Sequence, residues 1–184
     1  MYYAKNWLFS CGLVVLLGLG GCQDVTDDLS PSGSDQRPAV TAGSTGSQTN
    51  QQAPSFTAVD SLGATRTLAA ELAMADGVVL YFTMWCPVCD SHMNHIRSSL
   101  VADFPNVTFL IVDYVTGSVV ASRAAQLNNG YASFTVLADV DHALFNAFNG
   151  SMGTTVVIDS SGMITLNEDY KDGVKVRATL EALP

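Results

Sequence analysis

Basic side chains are scarce: Lys and Arg total 8 against 17 Asp and Glu, for a net charge of −9. Nucleic-acid binding rests on clustered Lys and Arg. No basic run or basic face is visible, so no nucleic-acid partner is expected. The acidity is read as a solubility feature. No internal repeat is visible either. Long apolar runs are missing as well. Leu8 to Leu19 is apolar for only about a dozen residues, too short for a comfortable membrane span and the right length for a signal-peptide core. Cysteine is sparse: the chain has four, at positions 11, 22, 86 and 89. An exported domain that stapled itself with disulfides would carry more.

What is present divides the chain in three. Lys5 and the apolar run end in Leu19-Gly20-Gly21-Cys22. This resembles a bacterial lipobox, which implies cleavage after residue 21 and acylation of Cys22. The 1–21 segment is thus expected to be a lipoprotein signal peptide. Residues 23 to 52 are almost all Asp, Ser, Thr, Gly, Gln, Pro and Asn, a composition that cannot bury enough surface to order itself. Residues 22–53 are therefore expected to be a lipid anchor and flexible tether, with a root-mean-square span of roughly 30 Å. Gln23 stands where some Gram-negative inner-membrane lipoproteins carry Asp, and Asp24 follows it, so inner and outer membrane both stay open. Residues 54–184 are the size of one domain.

Within that domain Val78 to Phe82 is a short apolar run without alternation, which suits a strand buried on both faces. Pro87 fits a first helical turn, and a helix is predicted from there to about Leu100. Asn106 to Asp113 reads as a second buried strand, Gly117 to Leu127 as a helix, and Phe134 to Leu137 as a short strand. Asp141 to Phe148 reads as a helix. Thr154 to Ile158 and Met163 to Leu166 read as a hairpin, and Val174 to Leu183 as a closing helix. The order β-α-β-α-β-α-β-β-α predicts an α/β domain: a central mixed sheet flanked by helices, with a C-terminal antiparallel hairpin and helix.

Cys86 and Cys89 are separated by two residues. That loop is too small to staple a fold, so the pair reads as redox or metal chemistry. At a helix start the first sulfur meets unpaired N–H groups and the positive end of the helix dipole, which stabilises a thiolate. The thiolate is the attacking species in disulfide exchange. Cys86 is the expected nucleophile. Cys89, one turn further in, is the expected resolving thiol.

Trp85-Cys86-Pro87-Val88-Cys89 after an apolar strand resembles the thioredoxin superfamily. The whole domain is similar to its envelope branch, the TlpA-like and redoxin-type thiol–disulfide oxidoreductases. Phe56, Asp60-Ser61-Leu62-Gly63 and Thr67-Leu68 match landmarks before the active-site strand. Thr154-Thr155-Val156-Val157-Ile158-Asp159 followed by Gly162 matches a late one. The resemblance implies a thioredoxin-like fold and a substrate groove framed by Trp85, Pro87, Met152 and Gly153. It implies no cofactor beyond a redox-active Cys86–Cys89 disulfide. It also implies partners that are cysteine-containing envelope proteins and a membrane electron donor or acceptor. Two departures stand out. Gly153 occupies the place of the family's cis-proline, where a cis bond without proline costs about 2.5–4 kcal/mol; a trans Met152–Gly153 bond and a more open site are expected. Leu80 occupies the place of the buried acid of cytoplasmic thioredoxins, so no local base for Cys89 is visible.

Three other readings stay open. A copper- or zinc-binding thioredoxin-fold metallochaperone would use Cys86, Cys89, His92 and His95, with Met84, Met93 and Met152 near and His142 the only distant His; thiolate and thioether suit Cu(I), and imidazole extends the choice to Zn. A thiol peroxidase would use Thr83, three residues before Cys86, with Arg97 or Arg123 as partner. A non-catalytic binding module would leave the two cysteines without a task.

Overall fold

The structure, a computed structural model, describes residues 40–184. The expected signal peptide, Cys22 and the first part of the expected tether lie outside the described residues. Seven strands form one mixed sheet: β1 (Thr57–Asp60), β2 (Thr65–Thr67), β3 (Gly77–Thr83), β4 (Val107–Asp113), β5 (Thr135–Ala138), β6 (Thr154–Asp159) and β7 (Ile164–Asp169). Their spatial order is β2-β1-β5-β4-β3-β6-β7. β3 pairs in parallel with β4, and β4 with β5. The remaining pairs are antiparallel. The helices are α1 (Leu68–Leu72), α2 (Pro87–His95), α3 (Val119–Asn128), α4 (Ala143–Phe148) and α5 (Val174–Glu181); α2 runs on into a π-helical turn over Ile96–Leu100. Among the described residues no helix is long and apolar enough to cross a membrane.

β3 is the central strand, buried along its whole length, and its side chains alternate between two cores because successive strand residues point to opposite faces. Val79 and Tyr81 join Met93, Ile96 and Leu100 of the active-site helix and Val176 and Leu180 of α5. Val78, Leu80 and Phe82 join Leu68, Leu144 and Phe148 of α1 and α4. Burial on both faces explains why the strand carries no polar alternation. It also settles where the residues before the cysteines point: Tyr81 faces α2, and Leu80 faces away.

Three elements depart from the sequence expectation. The first is the hairpin β1–β2 with α1, all short and half-exposed, which leaves little periodic signal. The second is the π-helical turn, inside what reads as one continuous helix. The third concerns residues 40–53, which fall in the expected tether yet are docked on the domain. Asn50 N–H donates to Ile164 O at 2.8 Å, Ile164 N–H to Gln51 O at 2.9 Å, and Ala53 N–H to Gly162 O at 2.9 Å. Asn167 Nδ2 donates to Ser47 O at 2.6 Å. The ordered domain therefore begins by residue 40 rather than at 54. Its polar residues are held by backbone pairing with β7, not by apolar burial, and composition does not reveal that.

The Asp60-x-x-Gly63 landmark has a local cause. Asp60 Oδ1 accepts the N–H groups of Leu62 and Ala64, both at 2.9 Å, and Oδ2 accepts Arg66 Nε at 2.9 Å. Gly63 takes φ of +87°, where a side chain is strained. Burial would raise the Asp60 pKa, but these bonds outweigh it and hold it below the ordinary carboxylate value. The folded value lies below the unfolded one, so its stabilisation is complete above the unfolded value near pH 4 and fades as pH falls through the folded value. Asp60→Asn is expected to cost about 1–2 kcal/mol at neutral pH. Urea unfolding should show that difference shrinking below about pH 4; a difference independent of pH would contradict this account.

Candidate active site

β3 delivers the chain to the site through Thr83 and Met84. Trp85 adopts φ of +58°, an uncommon conformation for a residue with a side chain. Its N–H donates to Thr83 Oγ1 at 3.1 Å. This turn places Cys86 at the N-cap of α2, with extended backbone and Pro87 in the first turn. Cys86 Sγ accepts the Cys89 N–H at 3.2 Å, so the sulfur does the work that a Ser or Asp oxygen does at most helix starts. Cys86 is partly exposed and Cys89 is fully buried; both are free thiols, with their sulfurs 2.7 Å apart.

Burial pushes the Cys89 thiol up. Hydrogen bonds from the Cys86 thiol, then from the Met84 and Cys86 backbone and the Thr83 hydroxyl, outweigh burial and hold it below the ordinary cysteine value. The first of these is the largest.

The expected groove residues converge. Met152 Sδ lies 3.4 Å from Cys86 Sγ. Gly153 follows at φ of +85°, and no described peptide bond is cis. Its N–H donates to Phe82 O at 3.0 Å, and its carbonyl accepts Tyr170 N–H at 2.7 Å. The bond before Gly153 is trans as expected, but the site is not simply opened: the Met152 thioether covers the nucleophile. The Trp85 indole packs against the α2-side core, and its Nε1–H is buried without a partner.

The alternative residue sets do not assemble. His92 Nδ1 pairs with the Tyr81 hydroxyl at 3.0 Å, and His95 Nδ1 with the Tyr170 hydroxyl at 2.5 Å. Among the described residues no group of three or more His, Cys, Asp or Glu is placed to hold a metal ion. Cys86, Cys89, His92 and His95 are thus not a ligand cage, because both imidazoles are turned to tyrosines. Met93 is core. The peroxidase arginines are also occupied elsewhere. Arg97 lies over the Tyr131 ring and donates to Gly130 O and Asn94 Oδ1; Arg123 donates to Gln126. Thr83 is buried and serves Trp85 and Cys89.

The AhpC/TSA family pattern matches residues 49–167. The chain belongs to the AhpC/TSA family. It is a thioredoxin-fold redoxin, an oxidoreductase. No curated protein matches it. Among solved structures it is similar to a secreted Mycobacterium tuberculosis disulfide oxidoreductase described as homologous to Escherichia coli DsbE. Identity is 26%, covering 70% of this chain and 96% of that one, with a TM-score of 0.56. A putative thioredoxin from Neisseria meningitidis is similar at 25% identity over 72% of this chain and 89% of that one, TM-score 0.60. The peroxidoxin BcpB of M. tuberculosis shares the fold at 23% identity, covering 72% of this chain and 96% of that one, TM-score 0.57. Beside the cysteines, Tyr81 is the residue that sequence reasoning passed over, and His92 entered it only as an alternative metal ligand. A Tyr in an unbroken apolar run reads as core, and a His in the middle of a polar helix reads as surface or, beside two cysteines, as a metal ligand.

Proposed function

We propose that this redoxin is a membrane-tethered thiol–disulfide oxidoreductase of the bacterial cell envelope, working through Cys86 and Cys89. The observation that carries the reading is the asymmetry of the pair. A partly exposed sulfur caps a helix, and a fully buried one lies in contact with it. Cys86 thiolate attacks a substrate disulfide, forming a mixed disulfide and releasing one substrate thiolate. Cys89 then attacks Cys86 Sγ, closing the Cys86–Cys89 disulfide and releasing the second thiolate. The substrate gains two electrons and the pair loses two. Run backwards, the same steps oxidise a dithiol. The electrons come from a partner dithiol or go to a partner disulfide, so no cofactor takes part.

The secreted DsbE-like neighbour supports an envelope location. The lipobox-like Leu19-Gly20-Gly21-Cys22 supports a lipid anchor on Cys22 after removal of residues 1–21. A lipid-bearing Cys22 anchors without spanning. Cysteine-containing envelope proteins are the proposed substrates, with a membrane donor or acceptor resetting the pair.

The test is the reduction potential of the pair. The full-length protein in detergent is equilibrated with glutathione, its thiols are trapped, and the peptide bearing Cys86 and Cys89 is weighed. A two-electron transition between about −270 and −120 mV is expected, and its position distinguishes reductant from oxidant. A peptide that never forms the internal disulfide sinks the proposal.

A further inference from the structure

We infer that Tyr81 and His92 form the proton exit of Cys89, a role that rests on the thiol–disulfide reading above. Cys89 must lose a proton to attack, and it is fully buried. In the resting dithiol the largest influence holding its pKa down is the hydrogen bond from Cys86. That donor disappears once Cys86 Sγ is bonded to a substrate sulfur. Burial, the largest influence overall, then opposes ionisation at the very step that needs it. A base within reach is required, and Leu80 faces the other core.

Tyr81 fills the gap from the neighbouring position. It is buried on the α2 face of β3, its hydroxyl pairs with His92 Nδ1 at 3.0 Å, and Cys89 is close enough to help push its pKa up, after burial. Cys89 and His92 are three residues apart on α2, hence on one side of the helix. His92 is only half-buried, so a proton that reaches it can leave to water. The groups facing it are Tyr81 from β3, His95 from its own element, and Tyr170 after β7. Asp172 and Arg177 act on Tyr170 in turn. Burial, then the charge of His95, lowers the His92 pKa below the ordinary value, which leaves it a neutral acceptor at pH 7.

The ring is also held in place. It lies 4.8 Å from the Tyr170 ring, and Tyr170 is tied to His95 and to the Gly153 carbonyl. A Cβ at Gly153 would come 3.7 Å from His92 Nδ1. The two departures from the family therefore meet at one spot: the residue in the proline's place is the neighbour of the imidazole that stands in for the missing acid.

In the step, the Cys89 S–H proton passes to Tyr81 Oη as the Tyr81 O–H proton passes to His92 Nδ1. Cys89 Sγ bonds to Cys86 Sγ with its freed electron pair. The bond from Cys86 Sγ to the substrate sulfur breaks, and the substrate leaves as thiolate. His92 imidazolium returns its proton to water or to that thiolate. The acceptor tautomer carries its other proton on Nε2.

The test uses the full-length protein with Cys11→Ser and Cys22→Ser, reduced and mixed with Ellman's reagent by stopped flow. The first release of thionitrobenzoate reports attack by Cys86, and the second reports resolution by Cys89. Tyr81→Phe and His92→Gln are expected to slow the second release about a hundredfold at pH 7, with the first changed by less than about twofold. Their second release should rise in proportion to hydroxide and approach wild type at high pH. Wild type should lose it as pH falls through the His92 value. Imidazole should restore His92→Ala. The inference is overturned if the second release stays at the wild-type rate, or falls by one factor at every pH. Absence of any first release in wild type would instead overturn the redox reading; a wild-type circular dichroism spectrum and thermal transition in the variants report that they fold.

Discussion

Cys89→Ser is expected to convert the protein into a trap for its own substrates, whereas Cys86→Ser is expected to abolish exchange. The difference follows from the burial of the two sulfurs. Cys86 reaches solvent and its Sγ accepts the Cys89 N–H at the helix start; Cys89 is sealed beneath it. Without Cys89 the mixed disulfide forms and has no internal thiol to release it. With model disulfides, Cys89→Ser should retain one substrate half per protein as a mass adduct removed by dithiothreitol. Cys86→Ser should slow exchange by roughly a thousandfold or more, because a buried thiol cannot meet a protein disulfide. Wild-type exchange by Cys86→Ser would end the proposed assignment of roles. So would a Cys86→Ser protein that accumulates the adduct on Cys89.

The second large effect is structural. Gly153→Pro restores the family's residue and is expected to destabilise this chain by about 3 kcal/mol or more. Proline holds φ near −65°, while Gly153 sits at +85°. Proline also removes the N–H that donates to Phe82 O. For a domain of this size the loss corresponds to a melting temperature lower by roughly 10 °C. Gly153→Ala keeps the N–H and meets only ordinary contacts with His92, so its cost is the left-handed strain alone, about 1–2 kcal/mol. Thermal unfolding of both variants checks this. A Gly153→Pro protein as stable as wild type would mean that the loop readily takes another path.

Much of this was legible in the residues. Val78 to Phe82 and Val107 to Val112 announce buried parallel strands by lacking alternation. Trp85-Cys86-Pro87-Val88-Cys89 after the first of them places the site. The sheet's far edge was not legible: β1 and β2 are only four and three residues long, and half-exposed, so neither carries a period. The tyrosine–histidine pair was hidden for another reason. An unbroken apolar strand does not say which of its residues faces which layer, and position 80 drew attention while position 81 held the polar group. Residues 40–53 hold on mainly through backbone hydrogen bonds, joined by the Asn167 amide on Ser47 O, and these leave no apolar pattern in the sequence.

That docked segment bears on how the protein meets other chains. A sheet ends in rows of unpaired N–H and C=O groups that can template the addition of a foreign strand. Here one end is β2, three residues long and carrying Arg66. At the other end, the start of β7 is already engaged by residues 50 to 52, with Ser47 held further along by Asn167. Neither flank thus offers a long open edge to a foreign strand, so under the proposed function an extended client would be engaged at Cys86 by sulfur exchange and not by strand addition.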